Sequence, residues 1–239
     1  MTLQGKVVLV TGASRGLGRA LAHAFARSGA AVSMCSRGRE RLDEAVAEVR
    51  TLSPAPIEPF VADVGRESDV RRLVEGTLDR LGRLDVVVNN ASLLGPRVPL
   101  EEYPPEEFAR VLQVNTGGAF LVARAAVPVM KRQGSGSIIN VSSGVGNEAR
   151  AAWGAYCISK FGVEALTGIL AAELDGTGVR VNTVDPGRMR TAMRAAAYPD
   201  EDPETLPEPG AVAPVFLYLA SDRASGITGQ RFRAQEFQP

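Results

Sequence analysis

The sequence predicts an α/β protein: a doubly wound parallel sheet of about seven strands with helices on both faces. Three observations carry this. Short β-rich apolar runs alternate with helix-length amphipathic stretches almost from end to end. The run Lys6–Thr11 and the very β-branched run Leu84–Asn89 are apolar at successive positions, as in strands covered on both faces. A glycine-rich turn joins the first run directly to the first helix, the connection expected of a β-α-β unit.

Taken in order, Lys6–Thr11 is the first strand, and Thr11-Gly-Ala-Ser-Arg-Gly-Leu-Gly18 leads into a helix over Arg19–Arg27 that Gly29 stops. Ala31–Ser36 is a second strand and Arg39–Leu52 a second helix, broken by Pro54 and Pro56. Ile57–Ala62 is a third strand, followed by Asp63 and a helix over Glu67–Leu81, then the fourth strand at Leu84–Asn89. Pro105–Gln133 reads as a long helix that absorbs Gly117 and Gly118, with Pro128 as a kink or an end. Ser137–Ser142 and Val179–Val184 are the fifth and sixth strands, on either side of a helix over Ala155–Leu174. Ala211–Ser221 is a last helix and Ile227–Phe232 a short last strand. No repeat or linker divides the chain, so residues 1–239 are expected to form one domain. Residues 188–210, with four prolines and five acids between Tyr198 and Pro209, read as a flexible loop beyond the sixth strand. Ligands of such sheets bind outside the carboxyl ends of the strands, which makes this loop the expected substrate wall or lid.

The 27 basic and 27 acidic residues cancel, and no Lys/Arg run offers a nucleic-acid stripe or a membrane-surface helix. No apolar stretch reads as the roughly 20 residues needed to cross a bilayer. Met1–Lys6 has no basic region followed by a long apolar one, so a cytoplasmic protein is expected. Cys35, Cys157 and the single histidine, His23, are spaced for neither a disulfide framework nor a metal site.

The turn Gly12, Ser14, Arg15, Gly16, Leu17, Gly18 between the first strand and the first helix suits a phosphate. Gly12 allows the tight exit, Gly16 lets backbone approach the phosphate, and Gly18 lets helix and strand pack closely. The helix N-terminus then presents free N–H groups and the positive end of its dipole to a pyrophosphate. A tight turn without a ligand would share the same glycines. An NAD site usually carries an acid at the end of the second strand. Here that strand ends Cys35-Ser36-Arg37, and Arg37 and Arg15 could pair with a 2′-phosphate, so NADP(H) is expected over NAD(H).

Tyr156 and Lys160 are four apart on a predicted helix, on one face and one turn apart. An ammonium beside a phenol favours the phenolate and brings a tyrosine toward the working range of an acid/base. By itself the pair also occurs as an aromatic stem beside a solvated charge.

Together these motifs resemble the short-chain dehydrogenase/reductase family, in its compact branch, from about Gly5 to Gln230. Thr11-Gly-x-x-x-Gly-x-Gly18 resembles the family's cofactor loop, and Tyr156-x-x-x-Lys160 is its central motif. Asp63, with Val64 after it, falls where the family's adenine-contacting acid lies. Asn89-Asn90-Ala91-Ser92 resembles Asn-Asn-Ala-Gly, with Ser92 in place of glycine. Asn115 matches the family's helix asparagine. Ser143 stands where its catalytic serine lies, with Ser142 as runner-up. Pro186-Gly187 and Thr191 resemble the turn and threonine that contact the nicotinamide amide. The tail, Thr228-Gly-Gln-Arg-Phe-Arg-Ala-Gln-Glu-Phe, lacks the common Val-Asp-Gly-Gly ending.

The resemblance implies a Rossmann-like fold and a hydride transfer between NADP(H) and a small-molecule carbonyl or secondary alcohol. Tyr156 would be the acid/base, Ser143 the donor to the reacting oxygen, and Lys160 the holder of the nicotinamide ribose. Asn115 would support a water chain. A 3-oxoacyl thioester (acyl carrier protein) reductase is the narrower alternative, and a non-catalytic dinucleotide-binding regulator the alternative of another class. Expected wall residues are Leu93, Leu94, Pro96, Asn147, Glu148, Arg150, Trp153, Met189, Met193 and Tyr198, with Arg150 and Arg188 as candidates for recognising an acid. Small and apolar residues along the long helices suggest a homodimer or homotetramer.

Overall fold

The computed structural model describes residues 1–238. Its strands are β1 (Val7–Thr11), β2 (Ala31–Ser36), β3 (Ile57–Val61), β4 (Val86–Asn89), β5 (Gly136–Val141), β6 (Val179–Asp185) and β7 (Arg231–Arg233). They form one sheet in the order β3-β2-β1-β4-β5-β6-β7, parallel at every pairing. The helices are α1 (Gly16–Arg27), α2 (Arg39–Arg50), α3 (Glu67–Leu81), α4 (Pro105–Leu112), α5 (Gly118–Gln133), α6 (Gly154–Glu173), α7 (Ala192–Ala197) and α8 (Ala213–Ala220). The Rossmann-like, doubly wound class is the one expected.

Alternating side chains of the central strands feed two cores. Val8, Val10, Val86 and Val88 join the core formed with α1, α2 and α8. Leu9 and Val87, between them, join the core formed with α3 and α5. This is the period of two in a strand, and because both faces are covered every residue of β1 and β4 is buried. β1 pairs with β2 on one side and β4 on the other, so the winding reverses there. A crevice opens at that switch point, beyond the carboxyl ends of β1 and β4.

Several elements differ from the expectation. α1 begins at Gly16, three residues early, because the last glycines of the turn already lie in its first turn. The long helix over 105–133 is α4, a π-helical turn at Gln113–Gly117, and α5; Pro128 stays inside α5. β7 is shorter and later than expected. Thr228 Oγ1 takes the Val181 N–H at 3.0 Å, where a ladder carbonyl would, and Gly229 turns with φ 70°, so pleating starts only at Arg231. Residues 188–210 hold the helix α7, where an irregular loop is expected, and a 3₁₀ turn at Pro203–Thr205; a second 3₁₀ turn starts at Pro209. They are tied rather than loose: Arg194 forks onto Glu201 at 2.5 and 2.7 Å, and Arg190 reaches Glu204 and Glu208 at 3.2 and 3.1 Å.

The 20-residue α6 reaches, by length and apolarity alone, the bilayer-spanning threshold that the sequence reading judged unmet. It packs on the sheet, carries the buried Lys160, and exposes the apolar side chains Ile158, Phe161 and Ile169.

Candidate active site

β1 leaves the sheet through Gly12, whose φ of 67° is left-handed. A Cβ there would stand 2.9 Å from Ala91 Cα, and one on Gly18 would strike the Gly12 carbonyl and the Asn90 amide. Only hydrogens fit where turn, helix and β4 loop converge. Asn90 Nδ2 donates to the carbonyls of Thr11 at 2.8 Å and Gly12 at 3.3 Å, while Thr11 Oγ1 accepts the backbone N–H groups of Asn90 and Ala91 at 3.0 Å. Asn90 therefore braces the cradle. α1 has no side-chain cap and no acid in its first turn, so its N–H groups and dipole are left for an anion.

One cleft of about 440 Å³ gathers Gly12, Ser14, Arg15, Gly16, Leu17, Ser36, Arg37, Asp63, Val64, Asn90, Ala91, Ser143, Tyr156, Lys160, Pro186, Gly187 and Thr191. Gly18 and Asn115 stand behind its wall. At the outer end Ser36 Oγ donates to Ser14 Oγ at 2.9 Å, tying the end of β2 to the turn. Asp63 accepts the Gly65 N–H at 2.9 Å, fixing its carboxylate at the rim, and Val64 packs beneath Gly118. Arg15, Arg37 and Arg41 line this end and are exposed. Arg39 next to them pairs with Asp43 at 3.9 Å, whereas these three form no ion pair among the described residues. Arg41 was missed in the sequence; its signal was its place in the first turn of α2, close after Arg37.

At the inner end α6 stacks Tyr156 and Lys160 on one face, both buried. Lys160 Nζ donates to the Val141 carbonyl at 2.7 Å and lies 5.5 Å from the Tyr156 ring centre. Burial pushes the phenol up to about 12; the Ser143 hydroxyl pulls against this and the Asp185 carboxylate adds to it. Burial also brings Lys160 down to about 8, opposed by Glu164 and Asp185. Burial sets the direction for the phenol, and Lys160 is not among the groups that act on it here. The two serines differ in their partners. Ser142 is buried with Oγ on Glu164, while Ser143 is the hydroxyl acting on the phenol.

Asn115 sits in the π turn, a distortion common at functional sites. Its Nδ2 donates to the Leu93 carbonyl and Ser159 Oγ, each at 2.9 Å, and its Oδ1 accepts the Leu93 N–H at 2.8 Å. Both donors are spent holding the β4 loop to α6. Thr191 caps α7, accepting the Arg194 N–H at 3.1 Å, and packs over Gly16.

Beyond Tyr156 the cleft is walled by Leu93, Leu94, Trp153, Met189, Met193 and Ala197. Tyr198 packs on Trp153 with ring centres 6.0 Å apart. Asn147, Glu148 and Arg150 are exposed outside the cleft, with Arg150 on Glu148 at 3.3 Å, and Arg188 faces Glu201 at 3.9 Å. Neither of these arginines, expected from the sequence as candidates for recognising an acid, lines the cleft. The basic side chain that does reach the wall is Arg194, which lies over Tyr198 and is neutralised by Glu201.

The family model for short chain dehydrogenases matches residues 6–202. The oxidoreductase YciK of Escherichia coli is 37% identical over 98% of this chain and 93% of its own length. A 3-oxoacyl-acyl-carrier-protein reductase, FabG of Thermotoga maritima, is 39% identical over 96% of each chain. A short chain dehydrogenase structure from Shigella flexneri in complex with NADP aligns with TM-score 0.93 at 36% identity, over 98% of both chains. With its parallel sheet, glycine cradle and Tyr156/Lys160 helix, the chain belongs to the short-chain dehydrogenase/reductase family and is an oxidoreductase of that family.

Proposed function

We propose that the chain is an NADP(H)-dependent oxidoreductase that interconverts a small-molecule carbonyl and its secondary alcohol, with Tyr156 as acid/base. One observation carries this: the Tyr156 phenol closes the inner end of the cleft whose outer end holds the glycine cradle and three exposed arginines. The residues fit a dinucleotide. The cradle admits no Cβ at Gly12 or Gly18, the start of α1 is uncapped, and Arg15, Arg37 and Arg41 suit a 2′-phosphate. The preference for NADP(H) over NAD(H) rests on these arginines and on the likeness to a relative solved with NADP.

When bound, the nicotinamide supplies or accepts the hydride. In reduction Tyr156 gives its proton to the carbonyl oxygen, and the Ser143 hydroxyl donates to that oxygen as charge develops on it. Burial keeps the phenol protonated, so it is loaded as an acid at neutral pH. Lys160 holds the nicotinamide ribose, and Asn115 fixes the β4 loop against α6 so that the two ends of the cleft keep their spacing. Asp63 and Val64 take the adenine end, while Pro186, Gly187 and Thr191 take the nicotinamide amide. Residues 188–210 form the substrate wall of a single dinucleotide-binding unit. Its Met189 and Met193, with Leu93, Leu94 and Trp153 across the cleft, suit a moderately apolar carbonyl compound; the FabG likeness favours a 3-oxoacyl thioester as the second reading.

The exposed stripe Ile158, Phe161, Ile169 on α6, with Phe120 on α5, is the face we assign to a homodimer or homotetramer. Initial rates over a panel of ketones, aldehydes and a 3-oxoacyl thioester, with NADPH and NADH, test the function. Carbonyl-dependent NADPH oxidation is expected, with kcat/KM about tenfold or more above NADH, since a charge-assisted contact is worth roughly 1.5–3 kcal/mol. Tight NADPH binding with no oxidation across the panel would point instead to a dinucleotide-binding regulator.

A further inference from the structure

The C-terminal strand returns a charge to the active site. β7 is an edge strand in which Arg231 lies opposite Thr183 of β6, so the two side chains share a face with Asp185, two residues on. That face abuts α6 at Glu164, one turn beyond Lys160. The Arg231 guanidinium meets three groups there. Nη2 donates to the Ser143 carbonyl at 2.9 Å and to Asp185 Oδ2 at 3.1 Å, and Nε lies 3.2 Å from Glu164 Oε1. Glu164 also accepts from Ser142 Oγ and, at 2.8 Å, from Thr183 Oγ1. Asp185 Oδ1 accepts the Gly187 N–H at 3.1 Å, so the same carboxylate closes the turn that follows β6. The three charged side chains are only 12–22% exposed.

Tyr156 and Lys160 face a small, countable set of charges. Glu164 lies on their own helix and Asp185 at the end of β6, with Arg231 behind both on β7. The end of β5 contributes the Val141 carbonyl and the hydroxyls of Ser142 and Ser143, and α7 contributes Arg194, already forked onto Glu201. Without Arg231, two carboxylates would confront one lysine. With it, the buried group balances when Lys160 is protonated.

We propose that Arg231 is a positioning residue of this active site, offsetting Glu164 and Asp185 behind Lys160 and Tyr156 while its guanidinium holds the Ser143 backbone. It rests on the roles assigned above to Tyr156, Ser143 and Lys160. The departure of the tail from the family's common ending thus has a local consequence: a side chain on the last strand reaches the catalytic helix.

The test needs no substrate. The chain has three lysines, Lys6, Lys131 and Lys160. ¹³C-labelled lysine therefore gives a three-resonance NMR titration, with Lys160 assigned by its loss in Lys160→Met. Removing the positive charge in Arg231→Gln is expected to raise the Lys160 midpoint by roughly half a unit to one unit, by the usual effect of a nearby charge. Arg231→Lys is expected to restore it, and Glu164→Gln to move it down. Thermal melts show which variants fold. Should Arg231→Gln fail to fold, Arg231→Gln in the Glu164→Gln background carries the test: its Lys160 midpoint should lie above that of Glu164→Gln alone, and an equal midpoint overturns the proposal. A Lys160 midpoint unchanged in Arg231→Gln, or one that does not fall in Glu164→Gln, overturns the proposal. Because the midpoint is read without turnover, such a failure is distinct from a failure of the Tyr156 assignment, which shows only in activity.

Discussion

Burial acts on Tyr156 and Lys160 in opposite senses, raising the phenol to about 12 and lowering the ammonium to about 8. Each shift disfavours the charged form, so the site starts with a protonated acid beside a lysine that titrates close to neutrality. A linkage follows. Lys160 holds its proton less tightly folded, near 8, than at its ordinary 10.5. Between those values the unfolded chain binds the extra proton, so the Lys160 contribution to stability rises with pH across that window. Urea unfolding of wild type and Lys160→Met at about pH 8 and about pH 10 should show the stability of wild type relative to the variant rising at the higher pH. A constant difference would contradict the lowered value. At the cofactor end, Arg37→Ala should raise KM for NADPH roughly tenfold or more with little change for NADH, the loss of one charge-assisted contact. Equal effects on both would remove the 2′-phosphate role. The Tyr156/Lys160 spacing and the arginine at the end of β2 were legible in the sequence because helical periodicity and charge are local properties. Ser142 against Ser143 was not, because both lie just beyond β5 beside α6 and only their partners, Glu164 and Tyr156, tell them apart.

At the scale of elements, the strands and most helices follow from apolar alternation and glycine or proline boundaries. The places where that reading slips are where a side chain substitutes for backbone or where one residue is inserted. Thr228 replaces a ladder partner and delays β7. The π turn adds a residue within a continuous helical pattern, which the 3.6 periodicity of α4 and α5 does not betray, yet it is this turn that presents Asn115. α7 follows Pro186-Gly187 in a segment whose prolines mask a helix of six residues capped by Thr191. Gly18→Ala tests the cradle. A methyl there meets the Gly12 carbonyl and the Asn90 amide, so the variant should lose about 1–3 kcal/mol of stability, the usual cost of overpacking. NADPH affinity should fall with it. A variant as stable as wild type, with unchanged NADPH binding by fluorescence, would show that the close approach is not required.

Across the whole molecule, the parallel sheet places the glycine cradle and the Tyr156 phenol at two ends of one cleft, and that arrangement was readable from the order of the motifs. The substrate was not, because its wall is assembled from the β4 loop, the start of α6 and α7, which meet only in the fold. The helix α6 serves the site with one face and exposes Ile158, Phe161 and Ile169 on another. If that stripe joins copies of the chain, Ile169→Glu should reduce the mass found by light scattering while NADPH binding persists; an unchanged mass would move the interface elsewhere. The central claim is that binding and chemistry are separate properties of the two ends of the cleft. Tyr156→Phe removes one oxygen, so NADPH affinity should stay within about twofold while turnover with any carbonyl that wild type reduces falls by about 10²–10⁴, the range for loss of a general acid. Turnover close to wild type in Tyr156→Phe would contradict it.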